Sequence, residues 1–320
     1  MKKVVSMILV VLLTLTLCLS FASCGDKKDS YTVGICQLVK HDALDAATEG
    51  FKQALIDKLG ADKVTFDLQN AAGDTQTCTT IVNNFVSKKV DLIMANATPA
   101  LQAAYNATTT IPILGTSVTE YGVALGIQDF SGTVGGNISG TSDLAPLTEQ
   151  ADMILELVPN AKKVGLLYCS GEPNSAYQVK VVSEYLTSKG LTCINYSFAD
   201  TNDVSTVTSA AVSECDVLYI PTDNTAASCK ETIGNIVLNA KIPVIAGEAG
   251  ICGGCGIATL SISYYDLGYK TGEMAAEILT GKSDISKMPI EYAKASKYYN
   301  PEICRELGIT VPSDYKELGK

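Results

Sequence analysis

The sequence predicts an α/β protein of two similar Rossmann-like lobes, each a parallel sheet with helices on both faces. Three observations carry this. From residue 31 onward, short apolar runs alternate with helix-patterned stretches, the signature of strand–helix–strand units. The length of 320 residues suits about two domains. Two segments also resemble each other: VDLIMANATPALQAA followed by IPILGTS, and CDVLYIPTDNTAASC followed by IPVIAGE. Asp91 stands seven positions before Thr98, as Asp216 does before Asp223. Pro112 and Pro243 each precede a short apolar strand, and after it Ser117 stands where Glu248 stands.

The first residues read as a targeting segment rather than as part of the fold. Lys2 and Lys3 precede VVSMILVVLLTLTLCLSFAS, an apolar run that ends at Ser23. A basic start, an apolar middle and small residues at the end are the plan of a secretory signal. FASC is followed by the polar Gly25, Asp26, Lys27 and Lys28. It resembles a bacterial lipoprotein cleavage site, with Phe21 where the usual pattern has Leu. The expectation is a signal peptide over 1–23 and a lipidated tether over 24–30. A lipid on Cys24 would hold the protein to the extracytoplasmic face of the cell membrane. An uncleaved membrane anchor is the alternative. No later segment is apolar for about 18 residues, so none reads as a membrane span.

The first lobe then unfolds in order. YTVGICQL reads as a strand and HDALDAATEGFKQALIDKLG as a helix. Leu44, Ala47, Phe51 and Leu55 share one face of it, and Gly60 suits its C-terminal cap. KVTFDL, DLIMA and PILG are further strands, separated by the helical TQTCTTIVNNFVSK and PALQAAYNA. In the second lobe VGLLY, LTCINYSF, DVLYI and PVIAG repeat the pattern.

Apolar residues make up 47% of the chain and charged residues 18%. That supplies real cores and argues against disorder. A net charge of −10 argues against nucleic acid, which calls for a basic surface. Of 11 cysteines, setting aside Cys18 and Cys24 leaves an odd number, so complete pairing within one chain is impossible. Cys36, Cys169, Cys193 and Cys215 lie in or beside strand-like runs and read as core thiols.

In open parallel sheets, ligands bind beyond the carboxyl ends of the strands. The residues there are Gln37, Thr98, Thr116 and Ser117 in the first lobe. In the second they are Asn174 and Ser175, then Thr222, Asp223 and Asn224, then Glu248. Thr98 before Pro99, and Asn174-Ser175 after Pro173, read as helix starts. Helix N-termini present free N–H groups and partial positive charge, which suit a carboxylate. Asp223 could receive an ammonium group. Together these tips suit a free amino acid, with helix capping alone as the other reading of each.

Enzyme chemistry finds little support. His41 is the one histidine, so a Ser-His-Asp triad would have to use it. It opens the first helix, where capping and a cleft contact are both open. No H-E-x-x-H, P-loop or G-x-G-x-x-G motif is present. Cys252 and Cys255 have C-x-x-C spacing, half a zinc site or a redox pair. Structural thiols, a disulfide, and metal or catalytic use all remain open for them. No metal and no cofactor are expected.

YTVGICQLVKHDALDAATEGF, QNAAGD, DLIMANATPA, GNISGTSD, GEPNSAYQV, PTDN and SISYYDLG, in that order over roughly 31–310, resemble ABC-transporter substrate-binding proteins of the tryptophan/tyrosine type. The resemblance implies a type I periplasmic-binding-protein fold with three hinge crossings, near NISGTSD, TLSIS and MPIEY. Lobe one would be 31–139 and 262–289, and lobe two 140–261 and 290–320. It implies a monomer that captures an aromatic or other hydrophobic amino acid by hinge closure and passes it to the membrane subunits of an ABC permease. By motif, Thr98, Asn174 and Ser175 would hold the carboxylate and Asp223 the ammonium. Gln37, Thr116, Asn224, Glu248 and Tyr264 would line the pocket. The chain departs from the family in GEAGICGGCG and at Ser263, where relatives carry an acidic residue. A sensory binding module, a sugar or nucleoside binder, and a thiol oxidoreductase using Cys252 and Cys255 are the competing readings.

Overall fold

The computed structural model describes residues 30–319. The expected signal segment 1–23, and Cys24 with nearly all of its tether, lie outside the described residues. No helix among the described residues is long and apolar enough to cross a membrane.

The first lobe alternates strand and helix: β1 (Tyr31–Gln37), α1 (Asp42–Leu59), β2 (Val64–Asn70), α2 (Thr75–Lys88), β3 (Leu92–Asn96), α3 (Thr98–Ala107), β4 (Ile113–Val118), α4 (Tyr121–Leu125) and β5 (Ile138–Ser142). The second runs α5 (Leu147–Leu157), β6 (Lys163–Cys169), α6 (Pro173–Ser188), β7 (Thr192–Phe198), α7 (Val204–Glu214), β8 (Val217–Ile220), α8 (Asn224–Ser228), α9 (Lys230–Ala240), β9 (Val244–Ala246), α10 (Ala249–Cys255) and β10 (Ala258–Ser261). The chain then returns to the first lobe for α11 (Tyr264–Leu279) and β11 (Glu291–Tyr292). It ends in the second with β12 (Ser296–Tyr299), α12 (Pro301–Leu307) and β13 (Lys316–Glu317).

One sheet has the order β11-β5-β4-β3-β1-β2, the other β13-β12-β10-β9-β8-β6-β7. All pairings are parallel except β10 with β12. The two cores β2-β1-β3-β4-β5 and β7-β6-β8-β9-β10 share one strand order, so the lobes are structural repeats. The matching sequence segments take equivalent places, as the third and fourth strands of each. Their aspartates do the same job: Asp91 accepts from Thr32 N at 2.8 Å, and Asp216 accepts from Lys162 N and Lys163 N, each at 2.8 Å. Each ties the start of the central strand to its neighbour.

The chain passes between the sheets at 143–146, 262–263 and 293–295. The passages lie a few residues beyond the expected 139/140 and 289/290 boundaries, because β5 pairs β4 and β11 pairs β5 within the first sheet. Ile262, Ala293 and Ala295 pack with Ala43 and Ala47 of α1, so two passages share an apolar seat on that helix.

The face predicted for α1 is buried: Leu44 is 1% exposed and Ala47, Phe51 and Leu55 not at all. It packs against α11 so closely that side chains are excluded between them. A Cβ on Gly268 would stand 1.9 Å from the Ala47 carbonyl oxygen, and one on Gly50 2.1 Å from that of Tyr265. Backbone cannot yield as a flexible side chain does, so this contact fixes the returning segment onto the first lobe. Overpacking of this kind costs about 1–3 kcal/mol or more. Gly268→Ala is expected to lower the urea midpoint of unfolding by at least that equivalent, whereas Gly281→Ala, with open space around it, loses only its positive-φ preference.

Candidate functional site

The carboxyl ends of both sheets meet in one cleft. In this closed form it encloses a cavity of only about 10 Å³ between residues of both lobes, room for about one water molecule, so a ligand must enter while the lobes stand apart. Seven of the expected residues line it: Ser117, Asn174, Thr222, Asp223, Asn224, Glu248 and Tyr264. So does His41, which stands at the N-cap position of α1 without a capping hydrogen bond. Leu44, Thr119, Asp143 and Ala227 complete the wall, and sequence reasoning did not single them out for the site.

Four expected residues sit behind the wall. Gln37 donates to Val39 O at 2.9 Å and Asp45 Oδ1 at 2.7 Å, and accepts from Thr48 Oγ1 at 2.7 Å; it fastens β1 to α1. Thr116 shares hydroxyl contacts with Thr141 at 3.2 Å, and Thr141 in turn with Thr271 at 2.8 Å. Thr98 is the first residue of α3, not its cap; Ala97 takes that place with φ 91°. The turn is set by Ala97 N donating to Thr116 O at 3.0 Å. Ser175 is fully buried within the first turn of α6.

The tip that precedes α6 is organised by Glu172. Its carboxylate accepts from Asn174 Nδ2 at 3.2 Å, Asn224 N at 3.0 Å, Asn224 Nδ2 at 2.6 Å, Thr225 N at 2.9 Å and Thr225 Oγ1 at 2.8 Å. One buried acid thus aims both Asn174 and Asn224. In the first lobe, a register shift between Gly115 and Val118 puts Ser117 at φ 53°, strained for a non-glycine residue. That bulge leaves Ser117 among the cleft-lining residues.

Three buried polar atoms of the cleft have no partner: Ser117 Oγ, Asp143 Oδ1 and Asn174 Oδ1. Their residues are 6%, 4% and 4% exposed. A buried polar atom left unpaired costs about 1–3 kcal/mol, so three in one pocket mark a place built for a polar ligand. No lysine or arginine lines it, while Asp143, Asp223 and Glu248 do.

The lobes are closed on each other. Lys230 of α9 donates to the Asp42 carboxylate of α1, and His41 Nε2 meets Asn224 Oδ1 at 3.3 Å. Tyr264, opening α11, donates to Asp143 Oδ2 at 2.9 Å. Ser263, one of the two departures from the family pattern, caps α11 by accepting from Asp266 N at 3.2 Å.

The other departure, Cys252 and Cys255, lies inside α10. Both thiols are free and buried, donating to Gly256 O at 3.6 Å and Ile251 O at 3.3 Å. Burial pushes both thiols far up, which makes them poor nucleophiles and poor metal ligands. Among the described residues no group of three His, Cys, Asp or Glu is placed to hold a metal ion.

Burial pushes Asp143 from 3.8 up to about 6, against the opposing pull of the Tyr264 and Thr119 hydroxyls. Burial, then the charge of Glu172, likewise pushes Asp223 up. A carboxyl raised in the fold binds its proton more tightly there than in the unfolded chain. Its destabilising effect is therefore absent below about pH 4, grows through the interval, and is complete above about 6. For Asp143 the cost is about 3 kcal/mol at neutral pH. Asp143→Asn is expected to raise the melting temperature of the ligand-free protein by several degrees at about pH 7.5 and to leave it unraised at about pH 4.

A family model for ABC transporter substrate binding proteins matches residues 32–317. A tyrosine-binding protein of Clostridioides difficile (strain R20291) is 40% identical over 267 residues, 83% of this chain and 77% of that protein. An ABC domain from Streptococcus pneumonia in complex with L-Trp superposes with a TM-score of 0.85 at 30% identity, over 90% of this chain and 99% of that one. The ligand-free, open structure of a substrate-binding protein with adhesive properties from Clostridium difficile gives 0.67 at 38% identity, over 90% and 100%. The protein is closer in sequence to the open structure and closer in shape to the L-Trp complex, as its cross-cleft contacts require. With the family match spanning nearly all of the folded chain, the protein belongs to the ABC transporter substrate-binding proteins.

Proposed function

We propose that this protein captures an amino acid with an aromatic side chain, L-tyrosine or L-tryptophan, by closure of its two lobes and delivers it to the membrane subunits of an ABC permease. The carrying observation is the cleft itself: unpaired Ser117 Oγ, Asp143 Oδ1 and Asn174 Oδ1 beside three carboxylates and no fixed cation. A ligand that brings its own positive charge and further polar groups suits such a wall. An anion does not. The relatives support the side chain, one being named a tyrosine-binding protein and one holding L-Trp.

Ser117, Asn174, Thr222, Asp223, Asn224, Glu248 and Tyr264 are the expected contacts on the ligand. Gln37, Thr98, Thr116 and Ser175 hold the tips that present them. The α-carboxylate is assigned to the start of α6, where Ser175 N and Ala176 N donate to Glu172 O, each at 3.1 Å, and the Asn174 N–H is the donor left to a ligand. Because contacts on both lobes bind only the closed form tightly, the ligand shifts the population toward closure. The permease then reads the closed shape. No chemical step is called for, and the buried, proton-holding thiols of α10 are packing groups. The protein works as a monomer on the extracytoplasmic face, tethered through 24–30 by a lipid on Cys24 after removal of 1–23.

A thermal-shift panel of the twenty amino acids with representative sugars and nucleosides tests the ligand class. Stabilisation by L-tyrosine or L-tryptophan is expected; stabilisation by sugars or nucleosides alone would sink the reading. The chain has no tryptophan, so indole emission that appears in the protein fraction after gel filtration with L-tryptophan reports the ligand directly. The Asp42–Lys230 pair, partly exposed at the rim, is worth about 0–1 kcal/mol. Lys230→Ala is therefore expected to weaken binding by no more than about fivefold, with the difference disappearing at high salt.

A further inference from the structure

The three carboxylates of the cleft are not equivalent. Glu248 is spent on the start of α10: its oxygens accept from Gly250 N at 2.6 Å and from Ile251 N. Asp223 is spent in the same way, accepting from Ala226 N at 2.8 Å and Cys169 N at 2.7 Å. Each therefore has its oxygens occupied at a helix start whose partial positive charge offsets part of the carboxylate, although burial and the neighbouring Glu172 still push Asp223 up.

Asp143 has no such support. It follows β5 at the first passage between the lobes and caps no helix. Its Oδ2 accepts from the Tyr264 hydroxyl at 2.9 Å, the Thr119 hydroxyl beside it gives further neutral support, and Oδ1 is left without a well-formed hydrogen bond. Hydroxyls are neutral donors and cancel no charge. A buried carboxylate in this position calls for a cation, and the lining offers no lysine or arginine. An ammonium group has three donors and no acceptor, so Asp143 Oδ1 fits it, and Ser117 Oγ, unpaired in the same cleft, offers a second acceptor.

We propose that Asp143, rather than Asp223, receives the ligand's α-ammonium group, and that Tyr264 is the positioning residue that holds the Asp143 carboxylate toward it. This rests on the amino-acid reading given above and names the part of the cleft that reads the amine. Its place in the fold adds a consequence. Asp143 lies at the first passage between lobes and Tyr264 immediately after the second, so the ammonium is sensed where the lobes turn on each other. A ligand without the amine loses a contact that belongs to the hinge itself.

The test is a cycle between protein and ligand, read by isothermal titration calorimetry. The probes are L-tyrosine, L-tryptophan, and 3-(4-hydroxyphenyl)propanoate, which is tyrosine without its amine. For the wild type, removing the amine is expected to weaken binding about a hundredfold or more, the scale of a broken buried charge pair. In Asp143→Asn that penalty should shrink to about threefold or less. In Asp223→Asn it should remain about a hundredfold, whatever happens to affinity as a whole. Tyr264→Phe should lower the amine penalty itself, a ratio that a merely structural loss would leave alone. An undiminished penalty in Asp143→Asn overturns the assignment, and so does its disappearance in Asp223→Asn. Should circular dichroism show Asp143→Asn unfolded, against the stabilisation expected above, the Tyr264→Phe penalty decides, and an unchanged one overturns the assignment. If the wild type binds neither L-tyrosine nor L-tryptophan, the amino-acid reading itself falls and takes the assignment with it; if it binds them and only the predicted pattern of penalties fails, the reading stands without Asp143.

Discussion

Buried negative charge with no fixed positive charge is the constraint on which the site depends. Three carboxylates share a closed cleft that no lysine or arginine lines. Two of them are made tolerable by backbone N–H groups at helix starts, a solution that parallel sheets supply freely because each strand feeds a helix. The third, Asp143, is held only by neutral hydroxyls, those of Tyr264 and Thr119. Protein interiors tolerate such a charge only at a cost in stability, and the raised proton affinity of Asp143 is that cost expressed as a titration. Strain stored this way is characteristic of sites whose remaining partner arrives with a ligand.

The same constraint bears on motion. The cleft walls come from different lobes, and the chain runs between them three times, with two passages seated on α1 through Ile262, Ala293 and Ala295. The close approach of α1 and α11 at Gly50 and Gly268 makes the first lobe and its returning segment a single rigid piece. Movement is thereby confined to the short passages, and Asp143 and Tyr264 border two of them. Closure then needs only contacts that span the cleft: the Asp42–Lys230 pair at the rim, His41 with Asn224 inside, and the ligand between.

Much of this was legible in the sequence, for a specific reason. Parallel strands buried on both faces read as apolar runs, so YTVGICQ, LIMAN and VLYI announced themselves, and the polar residues directly after them named most of the cleft. What the sequence hid is β5. Its residues Ile138–Ser142 spell ISGTS, all buried, with hydroxyls satisfied only in the folded state: Ser139 by Met288 O at 3.1 Å, Thr141 by Thr271 at 2.8 Å, Ser142 by Thr119 O at 2.7 Å. A polar strand that borrows its acceptors from distant segments has no local signature. With β5 unread, Asp143 looked like part of a hinge rather than a strand tip, and Thr119 and Asp143 were overlooked together. The Thr98 cap was misplaced for a similar reason: Ala97 adopts its left-handed turn because Thr116 O, far along the chain, accepts its N–H.

The repeat relation sharpens why the two lobes do different work. They share a strand order, and their third strands carry the same aspartate at the same place, Asp91 and Asp216. Yet at equivalent tips the first lobe places Thr98 and Ser117, both neutral, where the second places Asp223 and Glu248. Divergence has concentrated charge on one side of the cleft and neutral acceptors on the other. A zwitterion between such walls has its orientation set before any side-chain contact is made. Its carboxylate is repelled from the acids and drawn to the Asn174 N–H at the start of α6, and its ammonium is drawn to whichever acid has an oxygen left to accept it. Asp223 and Glu248 have both oxygens occupied by backbone N–H groups. Asp143 stands on neither repeated tip but at the passage that joins the lobes, so the residue with an oxygen to spare belongs to the connection between the repeats.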